Sequence, residues 1–584
     1  MCITHTALIQ RKYTHKSLGD RILFIGIDIS QRLITNSLSA IFSQLVEKWG
    51  WFQKMNTPAE HNGKQRTGGA LTASVGKNTL FGILASTVQV ATRLVTVPFI
   101  ITHIGLGGYG IWSIVLVTAT YMRFGSIGIK SAFQKYVAEA TGNENYEVAS
   151  NLLSTGTAGM SVLSIAALIP AAMFSRQIAR ASGVPSEFLQ SAAWSIMMLA
   201  IIMAFTNAGA AYEAIVMGGH RIDLTRKFGT VLVVLEAIGV IAVLRLGYGL
   251  FAMSIIMAVS EIIFVLCCYV ASRRVLPQIS VSSKNIKLSV VRELVRFAGS
   301  YQLVSILQLI YGTIAPIAVL RAYGANQAGV FAIASRIVSP VSMSLYAFLI
   351  PILSSSAMVF ASGSIPRMKS LLSKSFKVTL GMTVIPLALV CAFGHYAVAA
   401  WIGQTDPSFR ITLCLVSLAL LLQSFSLLGL VLYRASGKAV MDNFREVLRI
   451  VTLCPVVFFA RELGFIGVLG GMAAAEAVGM IFMLAALAKT YHAFDPKVLF
   501  RDFIKIGGST VAIVLVTALA LKIPFVHPSS ARLLATIKVG IVGTAALLAL
   551  YPSLHLTGAV SGSELRIVLD LFRKKPTPSS TSSV

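Results

Sequence analysis

The chain has 584 residues, of which 56% are hydrophobic and only 12% charged, and a mean hydropathy of +0.78. That is too little charge to cover a water-soluble surface, so a soluble globular protein is excluded and a polytopic membrane protein is indicated. The formal net charge of +27 does not call for nucleic acid as a partner. The positive-inside bias of membrane proteins accounts for such an excess.

Residues 1–77 are basic (Arg11, Lys12, Lys16, Arg21, Arg32, Lys48) and contain no apolar run of membrane length. The start also lacks an apolar core followed by a small-residue cleavage site, so it does not read as a signal peptide. The segment reads as a cytoplasmic extension, with Met55 as an alternative start. From Asn78 onward the apolar runs repeatedly reach the roughly 20 residues that a bilayer demands. About fourteen spanning helices are predicted. Those of the first half are Asn78–Thr102, Gly108–Ile127, Ala149–Phe174, Ser191–Val216, Phe228–Leu246 and Tyr248–Ala271. Those of the second half are Phe297–Leu320, Gln327–Leu353, Phe376–Ala399, Ser408–Leu432, Phe444–Phe459 and Gly464–Leu487. A final pair, Phe503–Leu521 and Ala531–Tyr551, precedes a basic tail rich in Pro and Ser. The domain reading is therefore a six-helix bundle over 78–272, a cytoplasmic linker over 273–296, a second six-helix bundle over 297–490, an additional helix pair over 491–553 and a tail over 554–584.

Charge sets the expected orientation. The linker holds Arg273, Arg274, Lys284, Lys287 and Arg292, whereas the loops on the other side are short and poor in Lys and Arg. Both termini are then cytoplasmic. Single-cysteine labelling is expected to find Gly107, Thr405 and Ser529 outside, and Ser283, Ser364 and Ser579 inside. Outside access at Ser283 or Ser364 would overturn the orientation and the helix count together.

The halves repeat one another. Gly105-x4-Gly110-Ile111-Trp112 matches Gly324-x4-Gly329-Val330-Phe331, and at the same offset Ser86-x2-Gln89 matches Ser305-x2-Gln308. Pro98 and Pro316 then fall one position apart. Six helices per half preserve orientation, so the repeat is parallel, with its axis along the membrane normal.

Charges inside apolar runs are the candidate functional residues, because each costs about 2.5–3.5 kcal/mol or more to place in lipid. Arg93 lies in the middle of the first predicted helix, Arg123 near the cytoplasmic end of the second and Arg336 in the eighth. A guanidinium can donate two parallel hydrogen bonds to a phosphate. The acids are Glu236, Glu261 and Glu476, each near a helix middle, and they are candidates either for ion coupling or for neutralising the arginines. Gln89, Gln308, Asn207 and Gln423 are candidates for bonding sugar hydroxyls or for joining helices to one another. The six cysteines read as small core residues with no disulfide or zinc spacing. No Walker A, HExxH or GxSxG motif is present, so neither a metal nor a cofactor is expected, and the chain does not read as an enzyme.

The glycine turn Gly105–Gly110 with Ile111-Trp112, and the segment Phe124-Gly-Ser-Ile-Gly-Ile-Lys-Ser-Ala-Phe-Gln-Lys-Tyr136, resemble the Wzx-type polysaccharide-biosynthesis flippases. These belong to the multidrug/oligosaccharidyl-lipid/polysaccharide exporter superfamily. Ser126 stands where such proteins often carry an acidic residue. The resemblance covers roughly residues 78–490. It implies an all-α membrane protein with two pseudo-symmetric six-helix bundles around a central cavity, opening alternately to either side. It further implies a bacterial inner-membrane location and an oligosaccharide on an undecaprenyl pyrophosphate carrier as cargo. Membrane lipids, polysaccharide polymerase and chain-length proteins are the implied partners. Within the same fold, a lipid II flippase and a multidrug/cation antiporter are alternatives. From another class, a membrane polymerase or ligase is the alternative, although the outside loops are short for catalysis.

Overall fold

The computed structural model describes residues 68–120, 127–219, 221–361, 365–403, 406–435, 440–491 and 496–520. Arg123, the last predicted helix and both terminal segments lie outside these residues. The described residues form helices and no strands. This is the expected outcome for single segments in hydrocarbon, where every backbone group must find its partner internally. The helices are α1 (Gly68–Thr120), α2 (Ile127–Asn143), α3 (Tyr146–Met173), α4 (Ser175–Ala181), α5 (Ser186–Gly218), α6 (Ile222–Arg245), α7 (Leu250–Val275), α8 (Leu288–Ala361), α9 (Ile365–Ile402), α10 (Ser408–Ala435), α11 (Val440–Phe458), α12 (Ala460–Tyr491) and α13 (Pro496–Ala520).

Two of these are too long to be single spans. The 53 residues of α1 would reach about 80 Å at about 1.5 Å per residue, against roughly 30 Å of hydrocarbon. Gly105 breaks α1 with φ 76° and ψ 169°, and Gly324 breaks the 74-residue α8 with φ 85° and ψ 180°. Only glycine adopts such angles without strain. Each is thus two helical segments joined at a glycine turn. Nine described helices are long and apolar enough to cross a membrane. α11, whose buried face is charged, is not among them.

The six positive-φ glycines of the described residues expose the repeat. They pair as Gly105 with Gly324, Gly183 with Gly403 and Gly247 with Gly464, all at nearly one spacing. Each pair marks the same inter-helix turn in the two halves. The halves meet where the first of these turns face each other. A Cβ on Gly110 would overlap the Ala325 carbonyl oxygen, and one on Gly329 would overlap that of Leu106. Backbone touches backbone here, which no residue larger than glycine permits.

The apolar cores follow the same division. One cluster joins both halves near the glycine turns and includes Tyr109, Ile111, Val330, Ile333, Val398 and Ile402. A second belongs to the first half alone, around Phe133, Leu152 and Ile215. A third belongs to the second half, around Leu349, Leu380 and Tyr433, and reaches Ile506 of α13. The additional helix therefore packs on the second half, along α9. The linker after α7 is bound to α3: Ser280 and Ser282 backbone N–H groups donate to Ser150 and Ser154 at 3.1 Å each, and Lys287 N–H donates to Thr155 at 2.9 Å.

One expectation needs correction. Cys391 of α9 and Cys414 of α10 are not separate core residues but a disulfide, with Cα atoms 4.3 Å apart. Their separation of 23 residues carries no local signal of pairing. The bond follows from the two helices lying side by side in antiparallel order.

Candidate functional site

The structure gathers several of the sequence-predicted residues from both halves into one place. Arg93, on the first arm of α1, interacts electrostatically with Arg336 of α8, with Glu236 of α6 and with Tyr109 of the second arm of α1. Glu236 accepts a hydrogen bond from Ser260 and interacts with Glu261, both of α7. Tyr109 is 1% exposed and stands beside Arg336. Gln89 is half-buried one helical turn before Arg93, on the same face of α1.

Arg93 itself is exposed. Its electrostatic partners come from both halves, Glu236 from α6 and Arg336 from α8. Two guanidiniums and two carboxylates are thus linked pairwise, Arg93 to Arg336 and to Glu236, and Glu236 to Glu261. Of the acids that the sequence offers for ion coupling or for neutralising the arginines, Glu236 interacts with Arg93 directly, and Glu261 interacts with Glu236. What the arrangement can do chemically follows from the mix. The two arginines, one from each half, offer paired donors to a phosphate or carboxylate that enters between them.

Gln308 and Glu476 do not join this site. They belong to a second cluster, buried within the second half and centred on α11. Here Glu446 accepts from Arg445, from Arg449 at 2.5 Å and from Gln308 at 3.3 Å. Glu476 of α12 accepts from Arg449 and, at 3.4 Å, from Gln423 of α10. Arg445 also donates to Ser426 at 2.7 Å, and Arg434 donates to Asp442 at 2.6 Å. The Tyr311 ring lies 3.7 Å from the Arg449 guanidinium carbon, a cation–π contact. Three arginines face three carboxylates, so the cluster neutralises itself. Asp442, Arg445, Glu446 and Arg449 are each at most 2% exposed, whereas Phe444, Val447, Val451 and Phe458 on the opposite face are 43–82% exposed. α11 is thus an inverted amphipathic helix, charged toward protein and apolar toward lipid.

Sequence reasoning missed the α11 charges, although their signal is present. Positions 442, 445, 446 and 449 follow the i, i+3, i+4, i+7 rule for one helix face. Mean hydropathy over the run conceals them.

No family model matches the chain, and no curated protein matches it by sequence. Solved structures do match by fold. A lipid II flippase MurJ in an inward closed conformation superposes with a TM-score of 0.62 at 15% identity, covering 81% of this chain and 98% of that one. The MATE multidrug transporter DinF-BH gives 0.57 at 17% identity, covering 74% and 99%. An inward-facing multidrug resistance MATE transporter of the MOP superfamily gives 0.56 at 15% identity, covering 69% and 99%. The chain is a multi-pass membrane protein with the fold of the MOP-superfamily transporters.

Proposed function

We propose that the chain is a flippase that carries an undecaprenyl-pyrophosphate-linked oligosaccharide from the cytoplasmic to the outer face of a bacterial inner membrane by alternating access. The observation that supports this reading is the electrostatic proximity of Arg93 and Arg336, one from each half. A pyrophosphate is an anion that cannot cross hydrocarbon alone, and two guanidiniums supply both charge and directed donors for it. The acids Glu236 and Glu261 hold the arginines when no substrate is bound, and exchange them for the substrate when it enters. Arg123, near the predicted cytoplasmic end, is assigned to the first encounter with the head group. Gln89, one turn before Arg93, is assigned to a sugar hydroxyl. Gln308 and Glu476 belong to the buried cluster instead and are not assigned to substrate. The reaction makes and breaks no covalent bond, so the protein is a transporter and not an enzyme.

A second reading is favoured by the match to the lipid II flippase, which spans most of both chains. In that case the cargo is a lipid-linked peptidoglycan precursor. Reconstitution separates these readings from a multidrug/cation antiporter. Vesicles containing the purified protein are loaded with the lipid-linked oligosaccharide and treated from outside with an impermeant glycosidase. The flippase reading expects protein-dependent cleavage of the entire pool. Cleavage that stops at the outer-leaflet fraction, with and without protein, would reject it. Depletion in cells then distinguishes the two cargoes: lysis indicates lipid II, and loss of one polysaccharide without lysis indicates the oligosaccharide.

A further inference from the structure

Pro98 sits inside α1, four residues after Leu94. In an α-helix the Leu94 carbonyl would accept the N–H of residue 98, but proline has none. An orphaned carbonyl at membrane depth must find another donor. It finds one 307 residues away: the indole N–H of Trp401 donates to the Leu94 oxygen at 2.6 Å. Trp401 lies in the last turn of α9, in the second half of the molecule, and packs against the core that both halves share. On the stretch of α1 that it holds, Val90, Leu94 and Val95 are 39%, 51% and 36% exposed, whereas Val97 is 4% exposed. Threonine hydroxyls donate back to nearby carbonyls, Thr96 to that of Thr92 at 2.7 Å and Thr102 to that of Pro98 itself at 2.8 Å. Such back-bonding favours a bend. Leu94 directly follows Arg93.

We propose that Trp401 is a positioning residue for Arg93: its N–H satisfies the carbonyl that Pro98 leaves open, fastening this segment of α1 to the opposite half while the two halves are closed at the glycine turns. The inference rests on the site assigned above for the location of substrate, but the latch itself is a contact between halves and exists without cargo. Separation of the halves at the turns carries α9 away from α1 and breaks this bond. The state closed at the turns is then weighted by one hydrogen bond. The orientation of Arg93 is tied to the same event.

The test uses the full-length protein in membranes, with Ala328→Cys as reporter and the other unpaired cysteines changed to serine. Ala328 is buried against Gly110 where the halves meet, so a thiol there is reached only when they part. Trp401→Phe keeps an aromatic ring and removes only the N–H. It is expected to leave protein levels near wild type and to raise the rate at which an impermeant maleimide labels position 328 by about threefold to tenfold, the population shift that one hydrogen bond controls. Pro98→Ala supplies the missing backbone donor, so the indole becomes redundant. In that background Trp401→Phe is expected to change labelling less than twofold. This non-additivity is something a tryptophan that merely fills space would not produce. Unchanged labelling in Trp401→Phe, or an equal increase with and without Pro98, overturns the proposal. Labelling requires no substrate, so failure of the flippase reading would appear as wild-type coupling without transport. If Trp401→Phe does not accumulate, Pro98→Ala alone decides. It must raise labelling, because opening then strands no carbonyl, and an unchanged rate there also overturns the latch.

Discussion

Arg93→Ala is expected to abolish export while leaving membrane levels at or above wild type. Removing a charge from a spanning segment makes that segment easier to insert, so the loss would not be one of folding. The reason for the loss is positional. Arg93 faces Arg336 of the other half and Glu236 of its own, and without it a pyrophosphate meets one guanidinium and an uncompensated pair of acids. Arg93→Lys retains the charge but not the planar fork, so partial activity is expected. Arg93→Glu places a third carboxylate in the same space and should be inactive. The competing role for Arg93 is that of a structural partner to Glu236. In that role, alanine would lower protein levels, and a second change, Glu236→Gln, would restore both levels and export. Restoration by the double variant, or full export by Arg93→Ala, would remove Arg93 from the substrate path.

The second large effect is expected at Arg449, with the opposite signature. Arg449→Ala should sharply lower membrane levels and thermal stability, by about 3–5 kcal/mol, because it leaves buried charge without a partner. Glu446 and Glu476 would each lose a donor, and the Tyr311 ring would lose its cation. Combining Arg449→Ala with Glu476→Gln removes one of the stranded acids and should recover part of the loss. Normal levels and a wild-type melting temperature for Arg449→Ala would show that the α11 cluster does not hold the second half together. The contrast between Arg93 and Arg449 is informative in itself. Both are arginines within apolar helices, yet one is exposed and interacts with groups of both halves, and the other is enclosed by α8, α11 and α12.

That contrast marks the limit of what the sequence reveals. The all-α membrane class, the glycine turns and the repeat are written in local patterns, since apolar length, turn glycines and their spacing each act over short stretches. Arg93, Arg336, Glu236 and Glu261 could be chosen one at a time because a charge in an apolar run is unusual wherever it occurs. Their meeting could not be read, since it depends on how α1, α6, α7 and α8 come together. Gln308 and Glu476 show the cost of this. Each is polar in an apolar run, like Gln89 and Glu236, but tertiary packing places both in the α11 cluster. The α11 charges were legible as a helical face and hidden by averaging. The Cys391–Cys414 bond and the Trp401–Leu94 contact join positions with no local signature at all. Pro98 is the partial exception, because a proline inside a helix announces that a carbonyl one turn earlier needs a donor, though not which one.

The central claim is that the protein moves a lipid-linked oligosaccharide between leaflets. It is tested most directly by locating that lipid in a strain from which the chain has been deleted. Right-side-out spheroplasts are treated with an impermeant glycosidase, and the lipid-linked sugars that remain intact are counted. The flippase account predicts that single lipid-linked units accumulate on the cytoplasmic face, protected from the enzyme, and that the wild-type chain but not Arg93→Ala restores their exposure. Single units accumulating on the outer face of the deletion strain, fully open to the enzyme, would contradict it and point to a role in polymerisation or ligation.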